Sequence, residues 1–214
     1  MPSGSPASAA AERARERIID AAEECFRRVG VAKTTVEDIA AEAGLSRATV
    51  YRAVTGGRDE LILAVVLRSL RRFLDVLAER LARERSVPDA IVEGTLSAVA
   101  FVRDEPAIAR LLVPEAAGHM QAAVAGAGEQ VLALCAEYVR PYFEAAQRER
   151  LVRAEIDVEG AVEFLFRLIT SLIVMDRDRS EDATRAFLRT YAVPAIAAPA
   201  VAPGTAVAPG TAAP

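Results

Sequence analysis

The sequence predicts an all-α protein, and three observations carry that reading. Apolar residues recur at three- and four-residue spacing through most of the 214-residue chain. Ala, Leu, Val, Arg and Glu dominate a composition that is 52% hydrophobic and 26% charged, and Ala, Leu, Arg and Glu lose little freedom on entering a helix. Aromatic and β-branched clusters are scarce, and no segment alternates apolar with polar residues as a half-buried strand would.

Residues 1–10 are small, polar and Pro-containing, and are expected to be disordered. A first helix is predicted from about Ala11 to Val29, with Ile18, Ile19, Ala22, Cys25, Phe26 and Val29 on its apolar face and Gly30 ending it. In the following KTTVEDIAAEAG a capping box starts a second helix, formed either by Thr34 with Glu37 or by Thr35 with Asp38. Val36, Ile39, Ala40 and Ala43 make its inner face, and Gly44 stops it. LSRATVYRAV restarts a helix almost at once, with Ser46 as N-cap. Two short helices joined by Gly44 and Leu45 are a helix-turn-helix. Gly56 and Gly57 close the third helix, and a long fourth one runs from Asp59 to about Glu84.

Downstream, Val87-Pro88, Pro106, Pro114 and Gly118 separate further helices. One is expected over roughly Asp89 to Arg103 and a short one after Pro106. A longer one should run from about Met120 to Arg150 with a kink near Pro141, and the last two over Val158 to Met175 and Glu181 to Val193. From Pro194 the chain repeats Pro, Ala, Gly and Thr, including two copies of VAPGTA, and is expected to stay extended and mobile. The predicted organisation is a disordered 1–10, a helix-turn-helix domain over 11–58, a helical domain over 59–193 and a disordered tail over 194–214.

A formal net charge of −4 excludes a protein that coats nucleic acid with its whole surface. Between Gly44 and Arg58, however, stand three Arg (47, 52 and 58) and no acid. Phosphate neutralisation by such residues supplies affinity for DNA, and a helix in the major groove reads base edges, Arg gripping guanine with two hydrogen bonds. Thr49 and Tyr51 add hydroxyls suited to phosphate, and the helix N-termini at Thr35 and Ser46 add backbone donors. Val50 is expected in the core against Ile39 and Ala43.

The series IIDAAEECFRRVGVAKTTVEDIAAEAGLSRATVYRAVTGGRDEL, from Ile18 to Leu61, resembles the N-terminal DNA-binding domain of TetR-family regulators over its whole three-helix length. The resemblance implies that Thr35, Ser46, Arg47, Thr49, Tyr51 and Arg52 face DNA, and that Arg58 stands near the place of a phosphate-touching Lys. One extra residue in Thr55-Gly56-Gly57 and the presence of Ala53 and Val54, where His and Phe are common, depart from the family pattern.

The resemblance also implies a small-molecule site between helices five to eight and a dimer interface built from the last two helices. Candidates for the ligand site are Phe101, Leu112, Met120, Tyr138 and Phe164, each of which also has an ordinary core reading. DVEGAVEFLFRLITSLIVMD is apolar on nearly every side, and a helix apolar all round is buried all round. Leu165, Ile169 and Ile173 are therefore expected to meet a second copy, unless this helix is simply central within a monomer.

Cys25 and Cys135 lie far apart in apolar helical patterns and read as buried small hydrophobes rather than a disulfide. His119 has no second His or Cys nearby, so no metal site is expected; a capping or solvent-facing role suits it better. No Ser-His-Asp set or glycine-rich phosphate loop is evident, so neither an enzyme nor a cofactor is expected. No run approaches the ~18–20 apolar residues of a membrane span, and MPSGSPASAA lacks the basic start and apolar core of a signal peptide, which points to a cytoplasmic setting. The expected function is a homodimeric repressor, released from a pseudo-palindromic double-stranded DNA operator by a small, mostly apolar effector. The alternatives are a DNA-binding regulator with no inducer and a helical small-molecule-binding protein.

Overall fold

The computed structural model describes residues 6–84, 86–105, 117–175 and 179–199, with residues 6–7 and 117–127 described by their backbone alone. Helix α1 spans Pro6–Val29 and leads through a 3-10 turn at Val31–Lys33 into α2, Val36–Ala43, and α3, Arg47–Ala53. A long α4 follows at Gly57–Leu81, then α5 at Val87–Asp104, α6 at Ala117–Arg148 and α7 at Val158–Val174. Helix α8, Glu181–Phe187, continues through a π turn at Leu188–Ala192 into a terminal α9 at Val193–Ile196. The described residues form no strand; an isolated antiparallel bridge joins Val152 to Ala197.

Side-chain caps set most of the helix starts. Thr35, Ser46, Ser86, Asp157 and Ser180 each accept the backbone N–H three residues on, an arrangement that stabilises a helix by about 1 kcal/mol. Of the two capping boxes that the sequence allows, Thr35 with Asp38 forms: Asp38 N donates to Thr35 Oγ1 at 3.2 Å, and Thr35 N donates to Asp38 Oδ2 at 2.9 Å. Thr34 is buried instead, its hydroxyl donating to Gly30 O at 2.9 Å.

The core falls into two main parts. Ile18, Cys25, Ile39, Val50 and Leu61 pack a head made of α1, α2, α3 and the start of α4. Val92, Phe143, Leu172 and Leu188 centre a second cluster built by α5, α6, α7 and the C-terminal turns. Val50 lies in the first, as its spacing predicts, and both cysteines are free.

Both ends of the chain are more ordered than their composition suggests. Residues 6–10, expected to be disordered, belong to α1. Ala7, Ala9 and Ala10 are among the best helix formers. At the other end, Pro194 lies in the first turn of α9, directly after the π turn. Ile196 and Ala197 beyond it are 4% and 7% exposed. Arg153 N donates to Ile196 O at 3.0 Å and Ala198 N to Leu151 O at 2.9 Å, clasping the segment onto the α6–α7 connection. The mobile tail expected from Pro194 is thus fixed as far as Ala198. The short helix expected after Pro106 lies outside the described residues.

Candidate nucleic-acid interface and an adjoining cavity

The turn between α2 and α3 depends on Gly44, whose φ of 63° is open to glycine at no steric cost. Its N–H reaches the carbonyls of Ala40 and Ala41, and Leu45 N donates to Ala40 O at 2.9 Å. Arg17 of α1 donates to Ala43 O at 2.6 Å, so a side chain from outside the motif also caps α2. With Val36, Ile39, Ala40, Ala43 and Val50 buried beneath, the outer face of α3 is left as a rigid exposed surface.

That surface carries Arg47, Thr49, Tyr51 and Arg52. Ser46 Oγ accepts Thr49 N at 3.1 Å and lies 2.9 Å from Thr49 Oγ1, so the two hydroxyls sit together at the N-terminus of α3. Arg47 Nη2 lies 2.7 Å from Glu37 Oε1 of α2, and its guanidinium carbon lies 5.8 Å from the Tyr51 ring centre. Tyr51 first and Glu37 next hold the Arg47 pKa above its ordinary value. Arg52 donates to Ala48 O at 3.3 Å and Thr49 Oγ1 at 3.4 Å, along its own helix. Thr35 stands at the N-terminus of α2, its box partner Asp38 held below the usual carboxylate range by the Thr35 hydroxyl and then its backbone N–H. Lys33, the one lysine in the sequence, is exposed two residues before it. A cation beside a helix N-terminus is the one local signal by which Lys33 is legible in the sequence.

Arg58 is placed differently from the expectation. Its Nε donates to Thr34 O at 3.1 Å and its Nη2 to Val31 O. It ties α4 to the α1–α2 connection. Glu37 lies against Arg47, so one of the three positive charges read between Gly44 and Arg58 is partly offset.

Beside this head lies a cavity of about 330 Å³ between α4, α5, α6 and α7. Phe101 lines it, stacked on Phe73 with ring centres 4.4 Å apart and an 11° interplanar angle. Its hydroxyls are already engaged: Thr95 donates to Ile91 O at 2.7 Å, Thr170 to Phe166 O at 2.8 Å and Tyr142 to Ala78 O at 3.2 Å. Burial pushes the Cys135 thiol in the wall up to about 11. Tyr138 is not in the lining; it packs with Leu74, Leu77 and Leu134 and donates to Asp75 Oδ1 at 2.8 Å. Leu112 and the side chains of His119 and Met120 lie outside the described residues.

Helix α7 is rotated relative to the expectation. Leu165 and Ile169, expected at a dimer interface, line the cavity, and Ile173 is buried at 7% exposure in the chain's own core. Phe164, expected in the ligand site, points outward at 39%, alongside Val174 at 38% and Met175 at 77%. A helix apolar on all sides carries little phase information in its hydrophobic residues alone. Its polar residues did carry it: Glu163 and Arg167 pair at 2.5 Å on the exposed side, and Phe164, Ser171 and Met175 share that side. On the adjacent C-terminal turns Tyr191 is 65% exposed.

Helix α4 belongs to both regions. Ile62 and Val66 are buried in the core of the head and also line the cavity. Arg68 bonds Glu16 and Asp20 of α1, and Arg72 bonds Glu23 at 2.6 Å, which fastens α1 to the same helix. No described helix is long and apolar enough to cross a membrane.

Residues 18–65 match the model of a family described as bacterial regulatory proteins, tetR family. An uncharacterised HTH-type transcriptional regulator of Mycobacterium tuberculosis is 29% identical over 188 residues, 86% of either chain. The HTH-type transcriptional regulator SrpR of Pseudomonas putida is 40% identical over 93 residues, 43% of this chain and 42% of its own. A TetR-family transcriptional regulator of Pectobacterium atrosepticum, solved by crystallography, has the same fold with a TM-score of 0.63 at 20% identity, covering 87% of this chain and 93% of that one.

Proposed function

Because the chain belongs to the TetR family of DNA-binding transcriptional regulators, we propose that it is a homodimeric repressor released from a pseudo-palindromic operator by a small, mostly apolar effector. The observation that carries this reading is the double role of α4, whose Ile62 and Val66 pack the head on one side and wall the cavity on the other. A molecule that forces the cavity wall to move tilts α4, and the head moves with it.

On the DNA side, α3 enters the major groove, with Arg47 and Arg52 reaching base edges and Thr35, Ser46, Thr49 and Tyr51 reaching phosphates. Lys33 joins the phosphate set, while Arg58 is engaged with the carbonyls of Val31 and Thr34 beside it. The two-fold contact that an operator with two half-sites requires uses the outward apolar residues Phe164, Val174, Met175 and Tyr191, exposed beyond what a solvated helix face needs.

Selection of bound genomic fragments, followed by footprinting, tests this. The expected footprint has two dyad-related half-sites about one helical turn, or a multiple of it, apart. Arg47→Ala and Arg52→Ala should each weaken binding by about 1–3 kcal/mol if they read bases, with unchanged helical circular dichroism. Full affinity in both variants, or protection of a single half-site, would overturn the assignment.

A further inference from the structure

We propose that the cavity takes a linear aliphatic chain laid along α4, with a neutral or cationic end group beside Asp59; this rests on reading the cavity as the effector site. Shape is the first argument. The lining on α4 begins at Asp59 and ends at Leu81, a distance of about 33 Å at the helical rise of about 1.5 Å per residue. The lining on α6 runs from Gly128 to Ala146, about 27 Å. These two helices run side by side in one direction, since Tyr138 reaches Asp75 and Tyr142 reaches the Ala78 carbonyl. Asp59 thus stands at the head end of the cavity and Ala146 at the far end, where Val152 and Ile196 complete the lining. A volume of about 330 Å³ drawn out over that length is a slot, suited to a chain and ill suited to a compact ring system.

Chemistry is the second argument. The hydroxyls of Thr95, Thr170 and Tyr142 spend their protons on backbone carbonyls, and a ligand rich in polar groups would lose its hydrogen bonds to water without replacement. Aliphatic substance fills such a wall best. Among the described lining residues the one formal charge is the carboxylate of Asp59. A carboxylate or sulfate end group would meet a like charge there; an alcohol would not, and an ammonium group would gain a partner.

Calorimetric titration of the full chain, without DNA, tests this with n-alkanols, n-alkyltrimethylammonium salts and n-alkanoates of matched length. Affinity for the alkanols should rise roughly fourfold per methylene, the equivalent of about 0.8 kcal/mol, until the slot is full. The ammonium series should bind several-fold tighter than the alkanols and the alkanoates several-fold weaker. Asp59→Asn should abolish this ranking. Ala98→Phe or Leu70→Phe, midway along the slot, should shorten the longest chain accepted; whichever keeps wild-type circular dichroism is the one to use. Alkanoates binding as tightly as ammonium salts, affinity flat with chain length, or cyclohexanol binding tighter than 1-hexanol would overturn the inference, as would no binding by any series. A chain that binds as expected yet leaves DNA affinity untouched would instead overturn the proposed control of DNA binding alone.

Discussion

Glu37 Oε1 on α2 lies 2.7 Å from Arg47 Nη2 on α3, so the first arginine of α3 is already paired in the free chain. Both side chains are about half exposed, and an ion pair in that setting adds little to stability. In the proposed complex its effect is on binding: DNA must take Arg47 from a carboxylate that itself repels phosphate. Glu37→Gln should therefore raise affinity for a non-operator duplex and steepen its salt dependence by about one unit of log–log slope, with no change in fold. Fluorescence anisotropy at several salt concentrations measures it. An unchanged slope would show that Arg47 is not held back by Glu37.

The outward face of α7 makes a separate prediction. Phe164→Glu or Tyr191→Glu should shift the protein to monomer mass in sedimentation while leaving its thermal transition nearly in place. Ile169→Glu should do the opposite, placing a charge in the wall of the cavity and lowering the melting temperature. A dimer that survives both exposed substitutions would place the two-fold contact elsewhere.

Removal of residues 194–214 should destabilise the chain by about 3 kcal/mol, because it takes away the buried side chain of Ile196 and the clasp onto Leu151 and Arg153. For a chain of this size that is a fall of roughly 6–12 °C in melting temperature. Removal of 200–214 alone should leave it unchanged. Equal melting temperatures for the two truncations would show that Ile196 contributes nothing to the fold.

Arg150, two residues past the end of α6, has a φ of 58°, a left-handed conformation that costs a side chain-bearing residue energy and glycine none. The turn is held by Arg150 N donating to Gln147 O and Leu151 N to Ala146 O, each at 2.9 Å. Arg150→Gly should raise stability by about 0.5–1 kcal/mol in urea titration, whereas a loss would mean that the arginine side chain has a partner worth more than the strain.

What the sequence made legible was local chemistry. Thr35, Ser46 and Gly44 act within four residues of themselves, so their roles as caps and turn former follow from spacing alone, and Val50 is buried as its position requires. Arg58 and Arg17 bond carbonyls 24 or more residues away, partners that no local pattern specifies. The phase of α7 is not legible in Leu165 and Phe164, which are equally apolar; the paired charges of Glu163 and Arg167 hold the information that hydrophobicity does not. The C-terminal boundary is hidden in the sequence because Pro and Ala surround Ile196, whose burial depends on the distant Leu151–Arg153 segment.

The central claim is that one helix joins the cavity to the reading head, and linkage gives it a quantitative form. An effector acts only through its preference for one arrangement of α4, so it must weaken operator binding by the same factor by which the operator weakens effector binding. The most direct measurement is titration of both legs with the selected operator and one cavity-binding aliphatic compound. The account predicts equal factors on the two legs, about 5- to 150-fold, equivalent to roughly 1–3 kcal/mol of coupling. Tight binding of the compound with operator affinity unchanged would contradict it.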